Sequence, residues 1–307
     1  MGGFSHNSGV TDEGTPVIKF WITTRPAPGM ERERFDYEWG IIHTSMMVTT
    51  PSVLNGTFTR YVQHRSVLEG FSDEDLQYRR SDEGWYSCAD HVCRDYEGVV
   101  ASVTAEDYKR RVFLHRFSDK AMVVELTTSE VFWDTEPSRL DAGGVKVINH
   151  IKVRDGIGQA DFAQWWRSTY ASAVREVGHG LVTRYVQNPS YPGDPSFFAG
   201  TLFELGNTGT YGGVEELYFD DLEAVREFGS RAREQLNPRA AAMINLDASF
   251  GMVLVERVVF DFTGDRIDMI PSVRIPDSVE QRMVQSERAW GRWNEIRPVG
   301  SVKEAGQ

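Results

Sequence analysis

The sequence predicts a duplicated α+β protein, each half running β-α-β, a long loop, then β-α-β. Three observations carry that reading. The pentapeptide Thr-Arg-Tyr-Val-Gln occurs twice, at 59–63 and 183–187. Each copy follows a helical segment built on Phe and Trp, and each lies between runs that alternate like strands. A length of 307 residues suits two domains, and the repeat supplies them.

The first half opens on a strand over 17–25, where period-two alternation puts Lys19, Trp21 and Thr23 on one face and Ile18, Phe20 and Ile22 on the other. The run from Arg25 to Met30, with two prolines and a glycine, breaks it. A helix starts near Glu31, with Phe35, Trp39, Ile42 and Met46 forming one apolar stripe and His43 flanking it. The pentapeptide strand then sends Arg60, Val62 and His64 to one face and Thr59, Tyr61 and Gln63 to the other. Residues 65–90 read as a long loop, Tyr96–Val99 as a strand, the stretch from Glu106 as a helix, and 122–126 as the closing strand.

The second half repeats the order. A strand over 146–154 aligns His150 with Trp21, and Phe162, Trp166 and Tyr170 answer Phe35, Trp39 and His43. Arg184, Val186 and Asn188 share a face as Arg60, Val62 and His64 do. Tyr211–Val214 is matched to Tyr96–Val99, a helix starts at Asp220, and 252–256 is the last strand. The expected units are therefore 1–140 and 141–262, with 263–307 as a C-terminal extension whose aromatics pack back on the body.

Two cysteines exclude a disulfide framework of the secreted kind. Cys88, His91 and Cys93 lack the Cys-x-x-Cys spacing of a zinc site, so no metal is expected. A net charge of −12 excludes a nucleic-acid partner, and no apolar run has a membrane span's length. The start, Met1 to His6, lacks the basic and apolar regions of a signal peptide, so a soluble cytoplasmic protein is expected. There is no P-loop, dinucleotide fingerprint or nucleophile elbow, which leaves acid–base chemistry on an organic substrate without a cofactor.

The Phe-x-x-x-Trp-x-x-x-His helix over 35–43, the strand Arg-Tyr-Val-Gln-His at 60–64 (ending in Asn188 in the second copy) and the later Gly-Val element resemble the EthD family of dimeric α+β barrels. The resemblance covers 15–131 and again 145–260. It implies two ferredoxin-like βαββαβ units with antiparallel sheets, which form an α+β barrel within one chain. Relatives in that superfamily include cofactor-independent monooxygenases, polyketide cyclases, decarboxylases, dehydratases and haem enzymes, among which fold alone does not choose.

His43 and His64 occupy the polar positions of that pattern and are the catalytic candidates, with Arg60 to stabilise developing negative charge. The structural alternatives are a core-edge His43, a loop His64 and an Arg60 held in an ion pair. Trp39 or Trp21 would wall the pocket. Tyr61, Tyr170, Arg184, Asn188 and His150 complete the substrate-binding candidates. Because the second half has Tyr170 and Asn188 in place of both imidazoles, the first half is expected to hold the active pocket, between its sheet and helix. The expected function is a lyase or cyclase acting on an aromatic or polyketide-like substrate by decarboxylation, dehydration or aldol-type chemistry. The alternatives are a cofactor-independent monooxygenase of a phenol and a non-catalytic ligand-binding barrel; a homodimer is allowed.

Overall fold

The computed structural model describes residues 17–54, 57–67, 70–113, 117–135 and 145–261. The C-terminal extension expected over 263–307 lies outside these residues. The first half contributes β1 (Ile18–Thr24), β2 (Phe58–Ser66), β3 (Ser87–Cys93), β4 (Val123–Thr127) and β5 (Glu130–Asp134). The second contributes β6 (Val145–Ile151), β7 (Val182–Pro189), β8 (Asn207–Thr208), β9 (Gly213–Phe219) and β10 (Phe250–Asp261).

Within the first half the strands pair in the order β4-β1-β3-β2, and within the second in the order β10-β6-β9-β7, all antiparallel. That is the ferredoxin-like order in both halves. The halves join twice. The long β10 pairs with β6 through Phe250–Val255 and with β2 through Leu254–Asp261. Its counterpart is the run of β4 and β5, which pairs first with β1 and then with β7. Because β4 and β5 are separated only by Thr128 and Ser129, the sheet closes on itself as an antiparallel barrel. Closure removes open strand edges.

Each half packs its helices against the outer face of its sheet, giving two helix–sheet cores, while a third apolar cluster around Trp21, Ile148, Val214 and Leu254 lies inside the barrel. The second helical segments start at equivalent caps. Asp95 accepts a hydrogen bond from the Gly98 amide at 2.7 Å, and Asp221 accepts one from Ala224 at 2.9 Å, satisfying a donor the helix leaves unpaired. The helix from the first crossover runs as Arg32–Tyr37, widens to a π-turn at Glu38–His43 and resumes at Thr44–Met47. In the second half the same sequence of events is Gln159–Trp165, a π-turn at Trp166–Tyr170, and Ala171–Val177.

Register corrects the expected alignment in two places. Trp21 pairs with Asp90 and Ile148 with Glu216, so Trp21 is matched by Ile148, while His150 is matched by Thr23. The shared Arg after each strand suggests an alignment two residues out; strand pairing, which places Lys19 and Lys146 in equivalent positions, overrides it. Tyr96–Val99 begins a helix, Tyr96–Thr104, and is not the counterpart of Tyr211–Val214, which leads into β9. The counterpart of β9 in the first half is β3, so the loop expected over 65–90 is shorter: β2 runs to Ser66 and β3 begins at Ser87.

These two long loops are exchanged between the halves. The loop after β2 buries Phe71, Leu76 and Tyr78 in the second half's helix–sheet core. The loop after β7 buries Phe198 and Phe203 in the first half's core, with the Phe203 ring edge-on to Phe20 at 5.0 Å. Fully burying such a side chain stabilises by about 1.5–3 kcal/mol, so the exchange is a substantial part of what holds the halves together. Among the described residues no helix is long and apolar enough to cross a membrane.

Candidate active site

The repeated pentapeptide serves both faces of the sheet. On the outer face, the Gln63 side-chain amide donates to the Trp39 carbonyl at 3.1 Å and to the Tyr61 hydroxyl at 2.7 Å. Gln187 does the same to the Trp166 carbonyl and the Tyr185 hydroxyl, both at 2.8 Å. A π-turn displaces carbonyls from the regular helical ladder, and the Gln-Tyr pair supplies a donor at its start in each half. On the inner face, Arg60 meets Asp261 at 3.2 Å and Arg184 meets Asp134 at 3.4 Å. The two aspartates are equivalent, one from β10 and one from β5, so the shared Arg ties each half's β2-type strand to the strand that crosses from the other.

His64 lies inside the barrel with no exposed surface. Its Nδ1 is 3.2 Å from the Cys88 carbonyl and its Nε2 is 2.8 Å from the Lys146 ammonium. An ammonium can only donate, so Nε2 accepts, Nδ1 carries the proton, and the ring is neutral. Burial, followed by Lys146, lowers its pKa in agreement. Lys146 also meets Glu216 at 2.6 Å and Glu256 at 3.0 Å, and Lys19 meets Glu216 at 2.5 Å. Burial disfavours charge on both glutamates, but Lys146 and Lys19 together for Glu216, and Lys146, His64 and Arg60 together for Glu256, outweigh it and hold each well below the usual carboxylate range. Asn188 donates to Glu216 at 2.9 Å, which gives it a place in the same network. Arg60 reaches Glu256 at 3.3 Å; burial opposes its charge, and Glu256, Asp90 and Asp261 together raise its pKa.

Further polar groups lie in the interior beside its apolar cluster. His150 is 3.0 Å from the Thr23 hydroxyl and 3.6 Å from Glu125, and Trp21 donates its indole N–H to Thr127 at 2.9 Å. The sequence signals for this network, Lys19, Lys146, Asp90, Glu125, Glu216 and Glu256, are charged residues at inward positions of apolar strands. They became interpretable only with the register.

His43, Trp39 and Tyr61 lie on the opposite face, in the first half's helix–sheet layer. The structure therefore does not bring His43 and His64 together. His43 ends the π-turn, is partly exposed, and sits edge-on to Tyr61 at 6.4 Å and to Phe117 at 5.4 Å between ring centroids. Behind it the His91 ring stacks on Tyr61 at 4.4 Å, and burial lowers the His91 pKa to about 4. Burial raises the Tyr61 pKa. Arg257, not singled out from the sequence, reaches in from β10 and donates to the Gly40 carbonyl at 2.7 Å and to Thr44 at 2.6 Å, with Gln63 also in contact. It thus pins the π-turn that carries His43. Burial lowers the Arg257 pKa to about 10, so the guanidinium is still charged at neutral pH.

Tyr170 ends the equivalent π-turn and accepts from Gln77 at 2.9 Å, with the Tyr78 hydroxyl at 3.0 Å. Alternation splits the cysteine cluster, with Cys88 on the inner face and His91 and Cys93 on the outer. Among the described residues no group of His, Cys, Asp and Glu has the geometry to hold a metal ion.

No family model matches the chain, and no curated protein matches it. Solved structures do. An anthrone oxidase-like protein is 10% identical, with 81% of this chain and 95% of that one covered, at a TM-score of 0.54. A chlorite dismutase from Candidatus Nitrospira defluvii, in complex with imidazole, is 9% identical over 87% of this chain and 95% of that one, at a TM-score of 0.42. A proposed monooxygenase from Fusobacterium nucleatum is 8% identical over 79% and 93%, at a TM-score of 0.46. At such identities the likeness is one of fold. The first agrees with the α+β arrangement of ferredoxin-like halves seen in the strand order.

Proposed function

We propose that the chain is a tandem barrel of the EthD type that performs acid–base chemistry on an aromatic or polyketide-like substrate without a cofactor, with His43 as the proton-transfer group of the first half. The observation that carries this reading is the pair of equivalent π-turns ending in His43 and Tyr170. π-Turns recur at functional sites because they re-aim a side chain at the expense of helical hydrogen bonds. Here two polar side chains are delivered to equivalent places, His43 edge-on to the buried Tyr61 and Tyr170 with its hydroxyl beside that of the buried Tyr78, and His43 keeps contact with solvent.

An imidazole, with an ordinary pKa of about 6.5, can take a proton from a phenol or an acidic C–H and return it elsewhere. Trp39 and Phe117 would offer the apolar walls for a ring, and the charged Arg257 behind the π-turn would favour negative charge developing near His43. His64 and Arg60, which the sequence had offered as partners of His43, would act on the barrel's internal charges instead. Decarboxylation, dehydration and aldol-type steps need only these elements. The name of the anthrone oxidase-like neighbour supports an aromatic substrate and keeps a second reading, oxygenation of a substrate carbanion made by the same base.

Turnover of phenolic and polyketide-like compounds, followed with and without oxygen, tests both readings. A lyase is indifferent to oxygen, and an oxygenase consumes it. Ligand binding without turnover in either condition contradicts the enzyme assignment.

A further inference from the structure

Two equivalent positions on the outer face of the sheet differ in charge between the halves. In the second half Glu215 lies between Gln187 and Asn149; in the first, Ala89 takes its place, between Gln63 and Ile22. On the strand that crosses from the other half, Glu130 pairs with Gln187 and Arg257 with Gln63. The second half therefore has two carboxylates where the first has an alanine and a guanidinium.

The hydrogen bonds follow the same division. Gln187 donates to the Tyr185 hydroxyl, which donates onward to the Glu215 carboxylate at 2.7 Å, and Asn149 donates to that carboxylate at 2.8 Å. Gln63 donates to the Tyr61 hydroxyl in the same way, but among the described residues nothing accepts the Tyr61 proton. Tyr61 is fully buried, and burial raises its pKa, so at neutral pH the hydroxyl keeps that proton. A buried donor without an acceptor is costly, and the acceptor at this place in the second half is a carboxylate.

The first half is also the more open one here. Asn149 and Tyr170 are buried, whereas their counterparts Ile22 and His43 are partly exposed. The first half's loop presents Tyr78 where it passes Gly251, and the second half's loop has Gly206 where it passes Val124, the counterpart of Gly251. An aromatic ring that covers this part of the second half thus has a glycine as its counterpart in the first.

We propose that the first half's site takes an aromatic carboxylic acid in its ionised form. The ligand carboxylate lies beside Ala89, in the place that Glu215 fills in the second half, and accepts a hydrogen bond from the Tyr61 hydroxyl. Arg257, bonded to Gln63 and charged at neutral pH, offsets the burial of that anion, and the ring lies over Ile22 toward His43. The inference rests on the reading above in placing the substrate in this layer, and it adds the group by which the substrate is recognised.

The probe is 4-hydroxybenzoate, compared with 4-hydroxybenzamide, which has the same shape and no charge, in equilibrium titrations at neutral pH. The wild type should bind the acid saturably and at least tenfold more tightly than the amide. Tyr61→Phe should remove at least tenfold of the acid's affinity and leave the amide's little changed. Ala89→Glu, which gives the first half the second half's own carboxylate, should abolish binding of the acid; Ala89→Gln, which fills the same space without charge, should do so as well and serves if the first variant does not fold. Glu215→Gln, in the other half, should leave the acid's affinity as it is. The proposal is overturned if the wild type does not prefer the acid, if Tyr61→Phe keeps the full preference, or if a folded Ala89→Glu or Ala89→Gln protein still binds it. Binding is read here without turnover, and the role of His43 is read from turnover. Binding of the acid without turnover would support this inference and contradict the enzyme reading, while turnover of a neutral ring with no preference for the acid would do the reverse.

Discussion

The hydroxyls of Tyr78 and Tyr170 lie 3.0 Å apart, although Tyr78 comes from the loop after β2 of the first half and Tyr170 from the second half's π-turn. The reciprocal contact is Phe198, from the loop after β7, stacked on Phe20 of β1 at 5.7 Å. Each half thus completes the other's core, and neither has its native core without its partner.

Gly229 gives the sharpest test of that exchange. It sits on the helix Leu222–Gln235 where the first half's loop passes, and a Cβ there would collide with the Asp75 carbonyl and Leu76. Gly229→Ala should therefore destabilise the protein by about 1–3 kcal/mol in chemical denaturation, in spite of alanine's better helix propensity. A stability gain would show that the loop is not docked on the helix.

Lys146 is the hub of the barrel's internal charges. Lys146→Met leaves Glu216 and Glu256 without their main partner and should cost about 3–5 kcal/mol. Both glutamates are depressed below their unfolded value of 4.5, so their contribution is full above that pH and is lost as pH falls through the lower folded values. Stability measured against pH should fall in acid for the wild type, and the fall should flatten in the variant.

Glu215 has the opposite sign. Its pKa rises from 4.5 to about 7 on folding, so its contribution is full below 4.5 and is lost as pH rises to 7. The stability of Glu215→Gln relative to wild type should therefore increase between those two values by on the order of 3 kcal/mol, then level off. A difference independent of pH would mean that the carboxyl titrates normally.

His64→Ala should act on stability and not on chemistry. The imidazole is buried, neutral and bonded to Cys88 and Lys146, so its loss should cost about 1–3 kcal/mol by leaving buried groups unpaired. Turnover per folded molecule should change by less than about tenfold, short of the 100-fold expected of an acid–base residue.

Much of the architecture was legible because duplication left Thr-Arg-Tyr-Val-Gln intact in both halves. Strand alternation alone also separates Arg60 and His64 from Tyr61. What was not legible follows from pairing and from tertiary packing. The alignment of β1 with β6 turns on register, which a shared Arg after each strand does not determine. The π-turns leave no mark in an apolar stripe spaced like an ordinary helix, and the carbonyl-bonding role of Arg257 depends on a strand that crosses from the other half. The pairing of His43 with His64 failed for a related reason: a helix packed on the outer face of a sheet cannot present its side chains to the barrel interior. Glu215 carries no signal in the repeat because its position is occupied by Ala89 in the first copy, and a duplication marks only what both copies share.

Turnover of His43→Ala on the best phenolic or polyketide-like substrate tests the central claim most directly. The account predicts a loss of at least about 100-fold in kcat/KM, with the denaturation midpoint close to that of the wild type. Unchanged turnover in a folded His43→Ala protein would contradict it.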